Sequence, residues 1–176
     1  ELIDGVANWW TACHGHSHPH LVQAMADQLQ QFSHVMFAGL AHEGAYRLAE
    51  RLTALVPGDL DRVFFSESGS VSVEVALKMA AQDWMIAGQR GKTRFVAFRG
   101  CYHGATLGTM PLCDPEEGMH AMYAGVFSPA LLADLPTDPA RQAALDRLLG
   151  DHADEIAAVI VEPLVQGAGG MRFHDP

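Results

Sequence analysis

Apolar side chains recur at helical spacing through residues 19–32. Leu21, Ala24, Met25, Leu29 and Phe32 share one face, and Pro19 suits a first helical turn. A second amphipathic helix is predicted over 42–56, with Ala45, Leu48, Ala49, Leu52, Leu55 and Val56 on a stripe that Pro57-Gly58 ends. "RVFFS" (62–66) has the composition of a short strand. It leads through "ESGS" into an apolar stretch from Val71 to Trp84, too long for a strand and therefore read as a buried helix. "RFVAF" (94–98) predicts a second strand, stopped by Arg99-Gly100. Residues 139–156 predict another amphipathic helix through Ala144, Leu145, Leu148, Leu149 and Ile156. "AAVIVEP" (157–163) predicts a third strand, buried on both faces because its apolar run does not alternate. Strands as apolar runs alternating with helices indicate an α/β domain with a mostly parallel sheet. The stretch before residue 18 has a different texture and is assigned to another lobe.

Composition narrows the function classes. The 176 residues are 49% hydrophobic and 18% charged, enough for a folded core. A formal net charge of −10 argues against nucleic acid or an anionic membrane as partner, since both call for a basic patch. No run reaches the roughly 18 apolar residues of a membrane span, and no segment reads as a signal peptide. Three widely spaced cysteines, Cys13, Cys101 and Cys113, argue against a disulfide framework and point to a reducing cytoplasm. The sequence starts at Glu1 within structured-looking sequence and stops at "MRFHDP", so a fragment of a longer protein is expected.

Chemistry concentrates in a few stretches. In "FFSESGSVSVEVALKMA" (64–80) a strand-like run passes through Ser66–Ser70 straight into a helix. A helix start offers unpaired N–H groups and partial positive charge, a ready anion site. Gly69 would admit a phosphate close to the backbone, and the hydroxyls of Ser68 and Ser70 would add donors. The plainer alternative is a capped turn, with Ser68 or Ser70 as N-cap. In "FRGCYHGATLGTM" (98–110), Tyr102 and His103 lie just past a strand, where ligands of open α/β sheets bind. Tyr102 is either a stacking ring or part of the core rim. In "VIVEPLVQGAGGM" (159–171), Glu162 closes a strand before a Gly-rich turn, as a site carboxylate or as a structural partner. In "DGVANWW" (4–10), Trp9 and Trp10 either line a pocket or pack in the core.

"CHGHSHPH" (13–20) raises the different possibility of a His-rich metal-binding module. Alternating histidines on an extended chain all face one way, however, and the C-x₂₋₄-C and H-x₃₋₅-H spacings of structural zinc are missing. No metal ligands are assigned.

In this order, "LIDGVANWW", "SHVMFAGLAHEGA", "SESGSVSVEVALKMA", "YHGATLGTM" and "VEPLVQGAGGM" resemble the class III (subgroup II) pyridoxal-phosphate aminotransferases along essentially the whole chain. The resemblance implies an α/β fold type I PLP-dependent transferase. Its large-domain sheet would be mostly parallel with helices on both faces, and incomplete here. Residues 1–17 would belong to the small or N-terminal lobe and 18–176 to the first part of the large, cofactor-binding domain. The implied cofactor is pyridoxal 5'-phosphate. Gly69 and Ser70 match donors to its phosphate, Tyr102 the aromatic that stacks on its ring and borders the substrate, and Glu162 the strand-end glutamate near it. Trp9 matches a substrate-pocket tryptophan.

Many members carry a glutamate where Ala168 stands; alanine goes with the branch that transfers an amino group from S-adenosylmethionine to 8-amino-7-oxononanoate in biotin biosynthesis. Ala105 stands where that branch usually has aspartate. The alternative within the family is a substrate of the ω-amino acid or diamine class. Lys78 and Lys92 lie in no matching context, so the Schiff-base lysine is expected downstream of Pro176, and no catalytic residue is assigned within 1–176. Gly15, His18 and Pro19 match a turn leading from Trp9 into the first large-domain helix. The family's homodimers imply that the tryptophans and "SHVMFAGLAH" (33–42) contribute to an interface.

Overall fold

The structure, a computed structural model, describes residues 2–116, 120–123 and 125–175. It forms two compact units, residues 1–64 and 65–176.

The first unit carries α1 (Pro19–Gln31) and α2 (Glu43–Leu55), within a residue or so of the predicted limits. Proline occupies the first turn of α1 and His18 caps it, its Nδ1 accepting from His20 N at 3.3 Å. His42 caps α2 in the same way, accepting from Ala45 N at 3.3 Å. The apolar stripes are as predicted but largely uncovered within the unit: Met25, Leu29, Leu48 and Leu55 are exposed, and only Ala45 is buried. Ala7, Asn8, Trp9 and Trp10 run consecutively through left-handed backbone, φ 48–74°, and Trp9 is exposed. Residues 62–66, expected as a strand, are irregular, because no strand of the described residues runs alongside to complete their main-chain hydrogen bonds.

The second unit is α/β. It contains α3 (Gly69–Ile86), β1 (Arg94–Phe98), β2 (Leu131–Ala133), α4 (Pro139–Asp151), β3 (Ile156–Val159) and a small antiparallel pair, β4 (Val165–Gln166) with β5 (Arg172–Phe173). The main sheet has order β2-β1-β3 and is parallel throughout. Side-chain alternation along β1 divides the core between its faces. Val96 and Phe98 pack with Leu131, Ala133 and, from α4, Leu145, Leu148 and Leu149. Ala97 and Phe95 pack with Leu112 and, from α3, Val73 and Leu77. Helices therefore cover both faces, as expected.

Three local expectations need correction. No residue of α3 is fully buried, and Met79 and Ile86 are exposed, because the helix meets the sheet along one flank only. β3 ends at Val159 rather than 163, and Val159 and Val161 are about half exposed, because β3 lies at the sheet edge. The helix predicted to 156 stops at Asp151, where His152 turns the chain so that Ile156 can open β3. Asp138 caps α4 by accepting from both Ala140 N and Arg141 N at 2.9 Å. The carboxyl end of α3 is pinned to the sheet by Trp84, whose Nε1 donates to Ala157 O at 2.7 Å. No helix of the described residues is long and apolar enough to cross a membrane.

Candidate active site

Ser68 is the N-cap of α3: its backbone is extended (φ −153°) and its Oγ accepts from Val71 N at 3.3 Å. This leaves the N–H groups of Gly69 and Ser70, the first two of the helix, without an intrahelical acceptor, and among the described residues no other group accepts from them. A Cβ placed on Gly69 would meet nothing within 4 Å, so the ground in front of these donors is open. Ser70 does not cap. Its Oγ accepts from Ala105 N at 3.1 Å, which leaves the hydroxyl proton to donate elsewhere.

That contact ties α3 to the loop following β1. Gly104 takes φ +135°, and a Cβ there would lie 2.8 Å from Ser70 Oγ and 2.9 Å from its Cα, so the loop approaches the helix as bare backbone. One turn along α3 from Ser70, Glu74 accepts from Gly108 N at 3.1 Å and from the Thr106 hydroxyl. Thr109 is fully buried and closes the loop on itself, its Oγ1 accepting from Thr106 N at 2.9 Å.

Glu162, just past β3, binds the same loop from the other side. Its Oε2 accepts from Tyr102 N at 3.0 Å and its Oε1 from Gly167 N at 3.0 Å. The Gly-rich turn is locked against β1 by Gln166, buried, whose Nε2 donates to Arg99 O at 2.7 Å. Asp114 takes Gly100 N at 2.8 Å. The Tyr102 ring stacks with His120 at 5.9 Å between centroids.

Buried neighbours of Tyr102 are held in neutral forms. Burial pushes the Cys101 thiol up to about 12 and raises that of Cys113, so neither is a ready nucleophile. Burial also lowers the pKa of His103, against the opposing pull of Glu162, and His103 Nε2 has no hydrogen-bond partner among the described residues. A cleft of about 310 Å³ lies beside the loop, lined by residues including Pro111, Cys113, Asp114, His120 and Leu132. None of Gly69, Ser70, Tyr102 or Glu162 lines it.

The four residues singled out as cofactor ligands in the sequence thus meet at one end of the sheet, beyond the carboxyl ends of β1 and β3. Trp9 belongs to the first unit, displayed on its left-handed turn. In the histidine run, His16 Nε2 bonds Asp4 at 2.8 Å and His18 caps α1. Among the described residues no three His, Cys, Asp or Glu side chains are grouped to hold a metal ion. Glu74, Gln166 and Asp114 escaped the sequence reading. Glu74 had a visible signal, since it stands four residues after Ser70 and so on the same face of a mostly apolar helix. Gln166 had none, because its partner is the main-chain oxygen of Arg99, 67 residues away. The Asp114 contact to Gly100 N was equally invisible, although its second bond, from Glu116 N at 2.8 Å, is a local turn.

The model of the family described as "Aminotransferase class-III" matches residues 1–176. The chain belongs to the class III aminotransferases. Similar members include the adenosylmethionine-8-amino-7-oxononanoate aminotransferases of Mycobacterium leprae, 51% identical over 100% of this chain and 41% of that protein, and of Corynebacterium glutamicum, 45% identical over 99% and 42%. This class III chain therefore spans about two fifths of the length of those curated relatives. Among solved structures, the enzyme of the same name from Methanocaldococcus jannaschii superposes with a TM-score of 0.84 at 30% identity, over 90% of this chain and 36% of that one. An amine transaminase from an uncultivated Pseudomonas species, in its PLP-bound form, gives 0.80 at 35% identity, over 97% and 42%. The fold is that of the PLP-dependent aminotransferases.

Proposed function

We propose that the enzyme containing this chain transfers an amino group from S-adenosylmethionine to 8-amino-7-oxononanoate, giving the 7,8-diamine of biotin biosynthesis, with pyridoxal 5'-phosphate as cofactor. The observation that carries this reading is the 51% identity, over the entire chain, to a relative bearing that name.

The residues present suit the cofactor. A phosphate needs several convergent donors and a positive potential, and the start of α3 offers two free N–H groups, the Ser70 hydroxyl proton and the helix dipole. Gly69 leaves room for it. Pyridoxal phosphate, when bound, supplies the electron sink through which an amino group passes between donor and acceptor. In this reading Gly69 and Ser70 anchor the phosphate, and Tyr102 offers a ring face to the pyridine and borders the substrate. Glu162 acts by holding the Tyr102 main chain, with both oxygens engaged by backbone amides. Trp9 is assigned to substrate binding in the whole enzyme. Neither lysine here serves as the proton-moving base. Lys92 precedes β1, at the end of the strand away from Tyr102, and its Nζ lies 4.5 Å from the Trp84 ring centre. Lys78 is exposed on α3. That base is assigned to the remainder of the enzyme, and residues 18–176 to the start of its large domain.

A homodimer is part of the same proposal, supported by the uncovered apolar stripes of α1 and α2 and by exposed Trp9, Met36, Phe37 and Leu40. A cytoplasmic location agrees with three free cysteines. A monomer in light scattering of the whole enzyme would remove the dimer.

Amine transaminases among the structural neighbours favour a second reading, a class III enzyme with a simpler amine donor. Steady-state assays of the whole enzyme separate the two. Turnover of 8-amino-7-oxononanoate with S-adenosylmethionine supports the first; turnover only of simple amines with pyruvate replaces it with the second.

A further inference from the structure

We propose that Glu74 is the positioning residue for the Ser70 hydroxyl, clamping the loop after β1 onto the first two turns of α3. The inference rests on the reading above, in which Ser70 meets the cofactor phosphate.

A carboxylate one turn into a helix whose start receives an anion weakens that site by like-charge repulsion. Its place here answers to another need, and its contacts show which. Glu74 accepts from Gly108 N at 3.1 Å and from the Thr106 hydroxyl, gripping the loop at two points. The fit is close enough that a Cβ on Gly108 would lie 2.6 Å from Glu74 Oε1. Between the grip and the helix start, Ala105 N donates to Ser70 Oγ at 3.1 Å. Gly104 and Gly108 flank that segment with the freest backbone available, so the amide of Ala105 stays on Ser70 only while something holds the loop. With Ala105 in place the Ser70 oxygen is used as acceptor, and its proton is left to donate to an anion at the helix start. Without the clamp, that hydroxyl rotates freely among several partners.

The test is the ratio of dissociation constants for pyridoxal and pyridoxal 5'-phosphate, titrated into the apoenzyme of the full-length protein. The wild type is expected to prefer the phosphorylated form. In Glu74→Ala that preference should fall by about tenfold, the order of one charge-assisted hydrogen bond, while affinity for pyridoxal stays within about twofold. Glu74→Gln, which keeps an acceptor oxygen, should fall between. Thr106→Val should also lower the ratio, and these two variants carry the test if Glu74→Ala does not fold. An unchanged ratio in the folded variants overturns the inference. Equal loss of both ligands overturns it too, since a residue with only a structural role would weaken both alike. A wild type that shows no preference for the phosphorylated form overturns the Ser70 reading itself, and the inference falls with it.

Discussion

Glu162 and Tyr102, sixty residues apart, are joined by a carboxylate-to-amide hydrogen bond of 3.0 Å, while the other Glu162 oxygen holds Gly167. One side chain thereby sets the spacing between the loop after β1 and the Gly-rich turn. A glutamine at 162 keeps one acceptor oxygen and turns an N–H₂ toward the second amide. Glu162→Gln is expected to cost about 1–3 kcal/mol of stability. Differential scanning calorimetry checks this; an unchanged Tm would show the bridge to be dispensable.

The glycines separate packing from ligand space. A Cβ on Gly169 would fall 1.9 Å from Gly100 O, a clash between two main chains that no rotamer relieves. Gly169→Ala is expected to destabilise by about 3 kcal/mol or more. Gly69→Ala meets nothing, and alanine is favoured over glycine in a helix by up to about 1 kcal/mol, so its Tm should hold or rise by a few degrees. Under the proposed function it should still weaken binding of pyridoxal 5'-phosphate. Loss of Tm in Gly69→Ala without loss of binding would reverse that assignment.

His103 should make stability sensitive to mild acid. Burial lowers its folded pKa below the ordinary 6.5, so the unfolded chain binds the proton more readily. Stability is then fully present above pH 6.5 and is lost as pH falls from there toward the depressed folded value. His103→Leu, which removes both the proton site and the orphaned Nε2, should flatten the Tm–pH profile in that window. An equally steep profile in the variant would place the acid sensitivity elsewhere.

The three thiols should differ sharply in reactivity. Cys13 is exposed, whereas Cys101 and Cys113 are buried with raised pKa values, and Cys101 Sγ donates to Leu112 O at 2.9 Å. A maleimide should label Cys13 rapidly in native protein and the other two only on unfolding. Mass spectrometry of the labelled peptides reads this directly. Rapid native labelling of Cys101 would show that the loop opens.

Much of the fold was legible because its signals are local. Pro19 and Pro57 punctuate helices, and "RFVAF" is a strand by composition alone and is one to the residue. β2 went unseen because three residues, Leu131–Ala133, carry no period. "RVFFS" misled because β propensity becomes a strand only beside another strand. The site was half legible for the same reason. Gly69, Ser70, Tyr102 and Glu162 each follow a strand-like run, and that placement marked them. What the sequence could not show is the wiring: Ser70 to Ala105, Glu74 to Gly108, Glu162 to Tyr102 and Gly167 are contacts to main chain, which leaves no trace in residue type.

The sheet order β2-β1-β3 has a further consequence. β1 is paired on both sides, whereas β2 and β3 each have one strand partner among the described residues, leaving the outward main-chain groups of each without a neighbouring strand. A parallel neighbour cannot arrive through a tight turn; it needs a crossover of a dozen or more residues, usually a helix. Each strand that widens this sheet in parallel must therefore bring its own roof, so extending the sheet and sheltering its flanks are one event.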